Sequence, residues 1–420
     1  MSLALSETDQ AYLDGHGGIP LQFAMQLLVN VSKVSGASRL IDVKQAHLVG
    51  SYYSGPADMA LISHLAKHHA TVKTPTTLSS SSTDRQQPAL FPKDHPETRE
   101  ACQLIDSYRA MGCDIALTCA PYHLPSEPKA GDAIAWAESN AVVYANSVIG
   151  ARTNKTYQYL DLAAALTGRI PESGLYLEQN RRGQRRYDFK GIPKHWYNED
   201  CFYQLLGLMV GSDAQQQIPV IAELPSSTCN TTLRNLGSAA ACTGNFAMFH
   251  AVGLTPEANT EAEAFHHKAP EHSITVRPED ILKAKSRLTT AISGPLKAIC
   301  LGTPHFSLEE FKQLTNLLAN RRIHPEVTLY ISTSRYVLQQ LSQSLLAQLE
   351  QDNIHIIADT CTYYGQLLNK LAGIVMTCSA KWAYYAPGNL GSAVVYARMA
   401  DCVESAIKGK VEVDESFWKV

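Results

Sequence analysis

Leu296-Lys297-Ala298-Ile299-Cys300-Leu301 is an apolar run of strand length; Gly302-Thr303-Pro304-His305 follows, and Ser307 then caps a helical pattern through Leu318. Strand, tight loop and capped helix make the repeating unit of a parallel α/β sheet. The unit recurs. Val327-Thr328-Leu329-Tyr330-Ile331 reads as the next strand, with a helix over 336–349. Asn353-Ile354-His355-Ile356-Ile357-Ala358 and Gly373-Ile374-Val375-Met376-Thr377 complete a Rossmann-like block. The expected division is 286–420 for this block and 1–285 for a less regular α/β region, with the polar stretch 261–279 before the boundary. In the first region, strands are expected at 39–43, 70–73 and 114–118. Residues 156–196 read as loop, and the Gly- and Ala-rich 235–252 as a closely packed helix.

The 420 residues are 45% apolar and 18% charged, with a net charge of −3. That balance fits a compact enzyme and gives no pull toward nucleic acid or an anionic membrane. The N-terminus lacks the basic start and apolar stretch of a signal peptide, and no apolar run reaches spanning length. The expected location is the cytoplasm, where thiols stay reduced. The basic run Arg181-Arg182-Gly183-Gln184-Arg185-Arg186 reads as a solvated loop, with a phosphate grip as the alternative.

Ten cysteines therefore need another account than disulfides. Ligands of open parallel sheets bind beyond the carboxyl ends of the strands. Cys119 follows the strand ending at Thr118, Cys361 lies two residues past Asp359, and Cys378 directly follows Thr377. All three fall at a rim where a metal could be shared, since thiolates suit iron–sulfur groups and zinc. Cys300 lies inside a strand, Cys113 precedes one, and Cys102, Cys201, Cys242 and Cys402 sit in helical patterns. Cys229, in a loop, remains a possible substitute for one of the three.

A second feature runs over 132–150, read as one buried helix with Asp132 as N-cap and Gly150 as stop. Glu138 is its only internal charge, yet it carries Ser139, Asn140, Asn146 and Ser147. Either these bond internally, or they form the polar wall of a substrate pocket with Arg152 just beyond for a carboxylate. His47, Thr76, Thr77, His305 and Lys381 are further polar groups at strand ends.

Thr118-Cys119-Ala120-Pro121-Tyr122, the run from Ala135 through Glu138-Ser139-Asn140 to Asn146-Ser147, and Gly150-Ala151-Arg152-Thr153 resemble the catalytic domain of the aconitase X family. Pro75-Thr76-Thr77-Leu78, Ala164-Ala165-Leu166-Thr167-Gly168-Arg169, Gly302-Thr303-Pro304-His305 and Cys378-Ser379-Ala380-Lys381 extend the similarity over nearly the whole chain. The resemblance implies an aconitase-like, multi-domain α/β fold with parallel sheets. It also implies an iron or iron–sulfur centre on Cys119, Cys361 and Cys378, acting as Lewis acid on a departing hydroxyl. His47, Glu138 and Lys381 are then the candidate catalytic groups. Thr76, Thr77, Ser139, Asn140, Asn146, Ser147, Arg152, Thr153 and His305 are the candidate substrate contacts. In such families the base is a serine on a small swivelling domain, fused or separate. No segment here resembles it, so a small swivel-domain subunit is the expected partner.

The family dehydrates cis-3-hydroxy-L-proline or 5-phosphomevalonate, and the first is the leading expectation. Two departures bear on the substrate: Leu48-Val49-Gly50 after His47, where Ile-Asp-Gly is common, and Ser79 where Asn is common. A non-catalytic iron–sulfur or zinc-binding regulator is the reading from another class.

Overall fold

The computed structural model describes residues 3–91, 95–291, 294–368 and 371–420. Its C-terminal sheet contains the four strands expected and a fifth, Ala393–Tyr396, that the sequence reading did not name. Five parallel strands stand in the order Ile354–Ile357, Thr328–Thr333, Leu296–Phe306, Ile374–Thr377, Ala393–Tyr396. Leu301 lies beside Ile331, Ile299 beside Met376, and Val375 beside Val394. The chain winds outward from the central strand on one side, then restarts beside it on the other. The switch point therefore falls between Leu296–Phe306 and Ile374–Thr377, where the carboxyl ends leave a crevice. Ser307 caps the following helix by accepting from the Glu310 N–H. Gly302 is obligatory: its φ is +92° and a Cβ there would stand 2.0 Å from the Ser332 carbonyl oxygen.

Two further parallel sheets precede it. One orders Thr76–Leu78, Ala46–Leu48 and Ala135–Trp136, with His47 beside both Thr77 and Trp136. The other orders His250–Ala251, Pro219–Ile221, Arg185–Phe189 and His272–Val276. An antiparallel pair, Leu40–Asp42 with Arg169–Pro171, closes one edge of the first region. Helix Gln158–Thr167 covers the first sheet, and helix Ile19–Ser35 packs on that helix and on Arg169–Pro171, with Leu28, Leu162 and Leu166 all buried. Helices Asp200–Asp213 and Asn230–Ala240 pack so closely that a Cβ on Gly207 would stand 2.1 Å from the Leu236 carbonyl oxygen. Among the described residues, no helix is long and apolar enough to cross a membrane.

Several expectations are corrected. Residues 132–150 are not one helix: Ala135–Trp136 is a strand, the helix starts at Ser139, and Ala145–Ile149 widens into a π turn. An apolar stretch serves either period, and here the main chain of Gln45 and His47 captures the N–H groups of Ala135 and Ala137. Gly150 does stop the element, with φ +78°. Residues 70–73 form no strand, because Val72 and Lys73 donate to the Met111 and Ala165 carbonyls instead. Over 114–118 only an isolated bridge, Thr77 to Asp114, survives, and Leu117 has φ +44°. Residues 156–196 hold a helix and the strands Arg169–Pro171 and Arg185–Phe189, not a loop. The helix expected over 235–252 is Asn230–Ala240, and that over 336–349 breaks in two where Ser342 caps the second part.

Candidate metal centre and active site

The first sheet and the C-terminal sheet point their carboxyl ends at each other, and the polar groups released there meet. Just past the edge of the first sheet, Thr118 leads into Cys119. The C-terminal sheet delivers His305 at the end of its central strand, Thr360 and Cys361 after Ile354–Ile357, and Lys381 in the first turn of helix Ala380–Leu390.

Cys119 Sγ and Cys361 Sγ are 3.8 Å apart, and the His305 main-chain N–H donates to Cys119 Sγ at 3.3 Å. The ligand atoms of Cys119, His305 and Cys361 all lie within 4.8 Å of one another, and all three residues are buried. The His305 ring is fixed from both sides, by Thr118 Oγ1 at 3.1 Å on Nδ1 and by the Thr360 carbonyl at 3.0 Å on Nε2. That leaves the two sulphurs as the unclaimed donors, a set that fits a soft or borderline metal. The hydrogen bond from Cys119 lowers the Cys361 thiol against burial, and the Lys381 charge helps. Burial and the neighbouring Cys361 push Cys119 up. Of the two, Cys361 is thus the more easily deprotonated, and metal binding would have to displace the proton of Cys119.

Beside the thiols lies a buried ion pair. Lys381 Nζ donates to Glu138 Oε1 at 2.9 Å, with side chains 4% and 12% exposed. Burial works against the Glu138 carboxylate, but the Lys381 charge and hydrogen bond and the Asn140 amide hold its pKa down to about 2. Burial likewise opposes the Lys381 ammonium, and Glu138 nonetheless keeps its pKa well above the ordinary value. Asn140 is a hub: its Nδ2 reaches Glu138 and the Cys119 carbonyl, both at 3.0 Å, while Oδ1 accepts from the Tyr122 hydroxyl at 2.7 Å. His47 lies behind, its Nδ1 2.8 Å from Thr77 Oγ1 and its buried Nε2 without a partner. Burial lowers its pKa to about 4, with Glu138 opposing, so the ring is neutral at pH 7.

Other sequence-expected residues fall outside this cluster. Cys378 packs against the aliphatic layer under the C-terminal sheet, and its carbonyl accepts from Gln204. Burial raises its thiol, and the charges it feels are Glu310 and Asp200, not those around Cys119. Among the described residues the metal-competent set is Cys119, His305 and Cys361. Arg152 pairs with Glu178 and donates to the Tyr176 carbonyl. Asn146 and Thr153 bond each other twice, Ser147 accepts from the Phe249 N–H, and Thr76 bonds back to the Thr74 carbonyl. Asn146 and Ser147 thus make the internal hydrogen bonds of the first alternative. Ser139 opens the short helix, half-buried. The run 181–186 is no solvated loop: Arg181 is fully buried, held by Glu257 and by Asn146, and Arg182, Arg185 and Arg186 all have acidic partners.

Sequence reading missed Ser80 and Tyr364, and the bond by which Ser79 holds Glu138. Ser79 Oγ donates to Glu138 Oε2 at 3.1 Å; Ser80 Oγ lies 3.8 Å from Cys361 Sγ and accepts from the Tyr364 hydroxyl at 2.5 Å. The serine run leaves the strand Thr76–Leu78 at its carboxyl end, and that position is the signal that could have found it.

The chain belongs to the aconitase X family: profiles of its first, second and third domains match residues 2–179, 186–286 and 296–408. Among similar proteins, a cis-3-hydroxy-L-proline dehydratase of Pseudomonas aeruginosa is 37% identical over 99% of this chain and 72% of its own length. A phosphomevalonate dehydratase large subunit of Methanothermobacter thermautotrophicus is 33% identical over 93% of this chain and 96% of its own. The holo-form crystal structure of Thermococcus kodakaraensis aconitase X superposes with a TM-score of 0.86 at 30% identity, covering 96% of this chain and all of that one.

Proposed function

We propose that the chain is the large subunit of a hydro-lyase that eliminates water from a small hydroxy acid, cis-3-hydroxy-L-proline, with iron held by Cys119 and Cys361. The observation that carries this reading is the thiol pair beside the buried Glu138–Lys381 pair at facing sheet ends. Iron held there by Cys119 and Cys361 would supply Lewis acidity for the loss of a hydroxyl. The protein's own groups bind and orient. The Lys381 ammonium has two donors beyond the one given to Glu138 and attracts the substrate carboxylate. Glu138, fixed by Ser79 and Asn140, stays ionised to accept from a substrate N–H. Neutral His47 is a weak base at pH 7, so proton abstraction falls to a second, smaller subunit. The name "large subunit" carried by the archaeal relative supports that partner.

The charge inventory supports hydroxyproline over phosphomevalonate. A phosphate wants a cluster of cations or a helix N-terminus. Arg152, Arg181, Arg182, Arg185 and Arg186 are engaged by carboxylates, and Lys155 is turned to the Ala241 and Gly244 carbonyls. The near-full-length match to phosphomevalonate large subunits favours the second reading. Anaerobic kcat/KM for both compounds, with the small subunit present, decides it: hydroxyproline is expected to be preferred, and a preference for phosphomevalonate would overturn the assignment.

A further inference from the structure

We propose that Asp84, Asp359 and Arg335 are positioning residues: they interlock the loop after Thr76–Leu78 with the segment that carries Cys361, and so set the spacing of the two thiols. The inference rests on the metal-centre reading for its purpose, but its geometry stands independently.

The interlock is reciprocal. Asp84, on the first-sheet side, accepts the Ala358 main-chain N–H at 2.8 Å. Asp359, on the C-terminal side, accepts the Arg85 N–H at 3.1 Å. Between them the Ser81 N–H donates to the Asp359 carbonyl at 2.6 Å, and Ser81 bridges Thr360 in parallel register. Each segment thus supplies the acceptor for the other's main chain, across 274 residues of sequence.

Asp84 and Asp359 are both buried, and two carboxylates side by side repel. Here they are held by further bonds. Arg335 grips Asp359 through both carboxylate oxygens, at 2.5 and 2.6 Å, and Asp84 also accepts from the N–H groups of Gln86 and Gln87. Asp359 is fully buried with φ +69°, a left-handed conformation unusual for a residue other than glycine. That turn redirects the chain just after the strand Ile354–Ile357. Two residues later Cys361 Sγ stands 3.8 Å from both Cys119 Sγ and Ser80 Oγ. None of the three interlocking side chains bonds to either sulphur, so their action runs through the main chain.

The test uses metal-free protein and two probes. Phenylarsine oxide binds two thiols that stand close together; Co2+ reports thiolate ligation by its charge-transfer absorption. Both are titrated into wild type, Cys361→Ser, Asp359→Asn, Arg335→Gln, Arg335→Lys and Arg186→Gln. Asparagine tolerates the left-handed backbone but gives up the ionic grip. Cys361→Ser should abolish arsenical binding. Asp359→Asn and Arg335→Gln should weaken both probes by about tenfold or more, the range for groups that orient metal ligands, with melting temperature close to that of Arg186→Gln. Arg335→Lys should recover part of the loss. Wild-type affinity in a folded Asp359→Asn or Arg335→Gln protein would overturn the proposal, as would a fall in melting temperature with the thiols unaffected. If Asp359→Asn does not fold, Arg335→Gln decides, because that side chain is 28% exposed. Should the arsenical respond to the interlock while wild type gives no cobalt–thiolate band, the positioning stands and the metal-centre reading fails.

Discussion

Lys381 is where charge, burial and site coincide. Replacing it with Met leaves the Glu138 carboxylate unpaired in the interior, and breaking one side of such a pair costs about 3–5 kcal/mol. Denaturant unfolding measures that loss. The double substitution Glu138→Gln with Lys381→Met should recover most of the stability and none of the activity, a folded but inactive protein. A double variant as unstable as the single one would show that the two charges do not depend on each other. Asp161 provides a second residue-scale test, remote from the thiols. Its Oδ2 accepts from Thr156 Oγ1 at 2.6 Å, its buried Oδ1 has no partner, and burial raises its pKa from 3.8 to about 7. Between those two values the native state keeps a proton that the unfolded chain has lost. Stability from this group is therefore full below pH 3.8 and declines as pH rises toward 7. Asp161→Asn, which keeps a neutral amide there, is expected to flatten that slope in unfolding free energies measured from pH 4 to 8. An unchanged slope would mean that Asp161 is ionised in the native protein.

At the scale of elements, Arg181 ties the short π turn to its surroundings. Its guanidinium reaches the Asn146 carbonyl at 3.0 Å and the Ala151 carbonyl at 3.2 Å, and it pairs with Glu257. Arg181→Met should cost about 3–5 kcal/mol by stranding Glu257 and two carbonyls, while activity per folded molecule survives because no site group touches it. This residue also shows what the sequence conceals. Read locally, a run of arginines is a solvated loop; its acidic partner is 76 residues away and invisible to pattern. The partner of Arg152, Glu178, is hidden in the same way, 26 residues on. Cys361, His305 and Lys381 were placed near the site by strand ends of the C-terminal sheet, whereas Cys119 arrives there although the strand expected over 114–118 reduces to a single bridge. Cys378 shows the limit: the rule places a residue at the rim but not the side to which its sulphur turns. The C-terminal sheet was readable because its strands carry long apolar runs. Two-residue Ala135–Trp136 was not, since only the partner main chain of Gln45 and His47 makes it a strand.

For the whole molecule, dehydratase activity should be absent from the isolated chain and appear when a small subunit from the same organism is added. Turnover by the chain alone, at a rate the addition does not change, would require a base within it, and His47 would be the first to substitute. The facing sheets also have a consequence in time. The thiols that meet are 242 residues apart, and Cys361 and Ser80 are 281 apart. Contacts this distant close large loops before they return any stabilisation, and parallel pairing delays them further. During synthesis the first sheet emerges and folds long before its complement exists. Until the C-terminal sheet docks, Cys119 and the acidic Glu138 stand open at an unfinished edge. The nascent chain thus passes through a period in which the Cys119 thiol is solvent-accessible and the future counter-ion of Glu138, Lys381, has not yet been made.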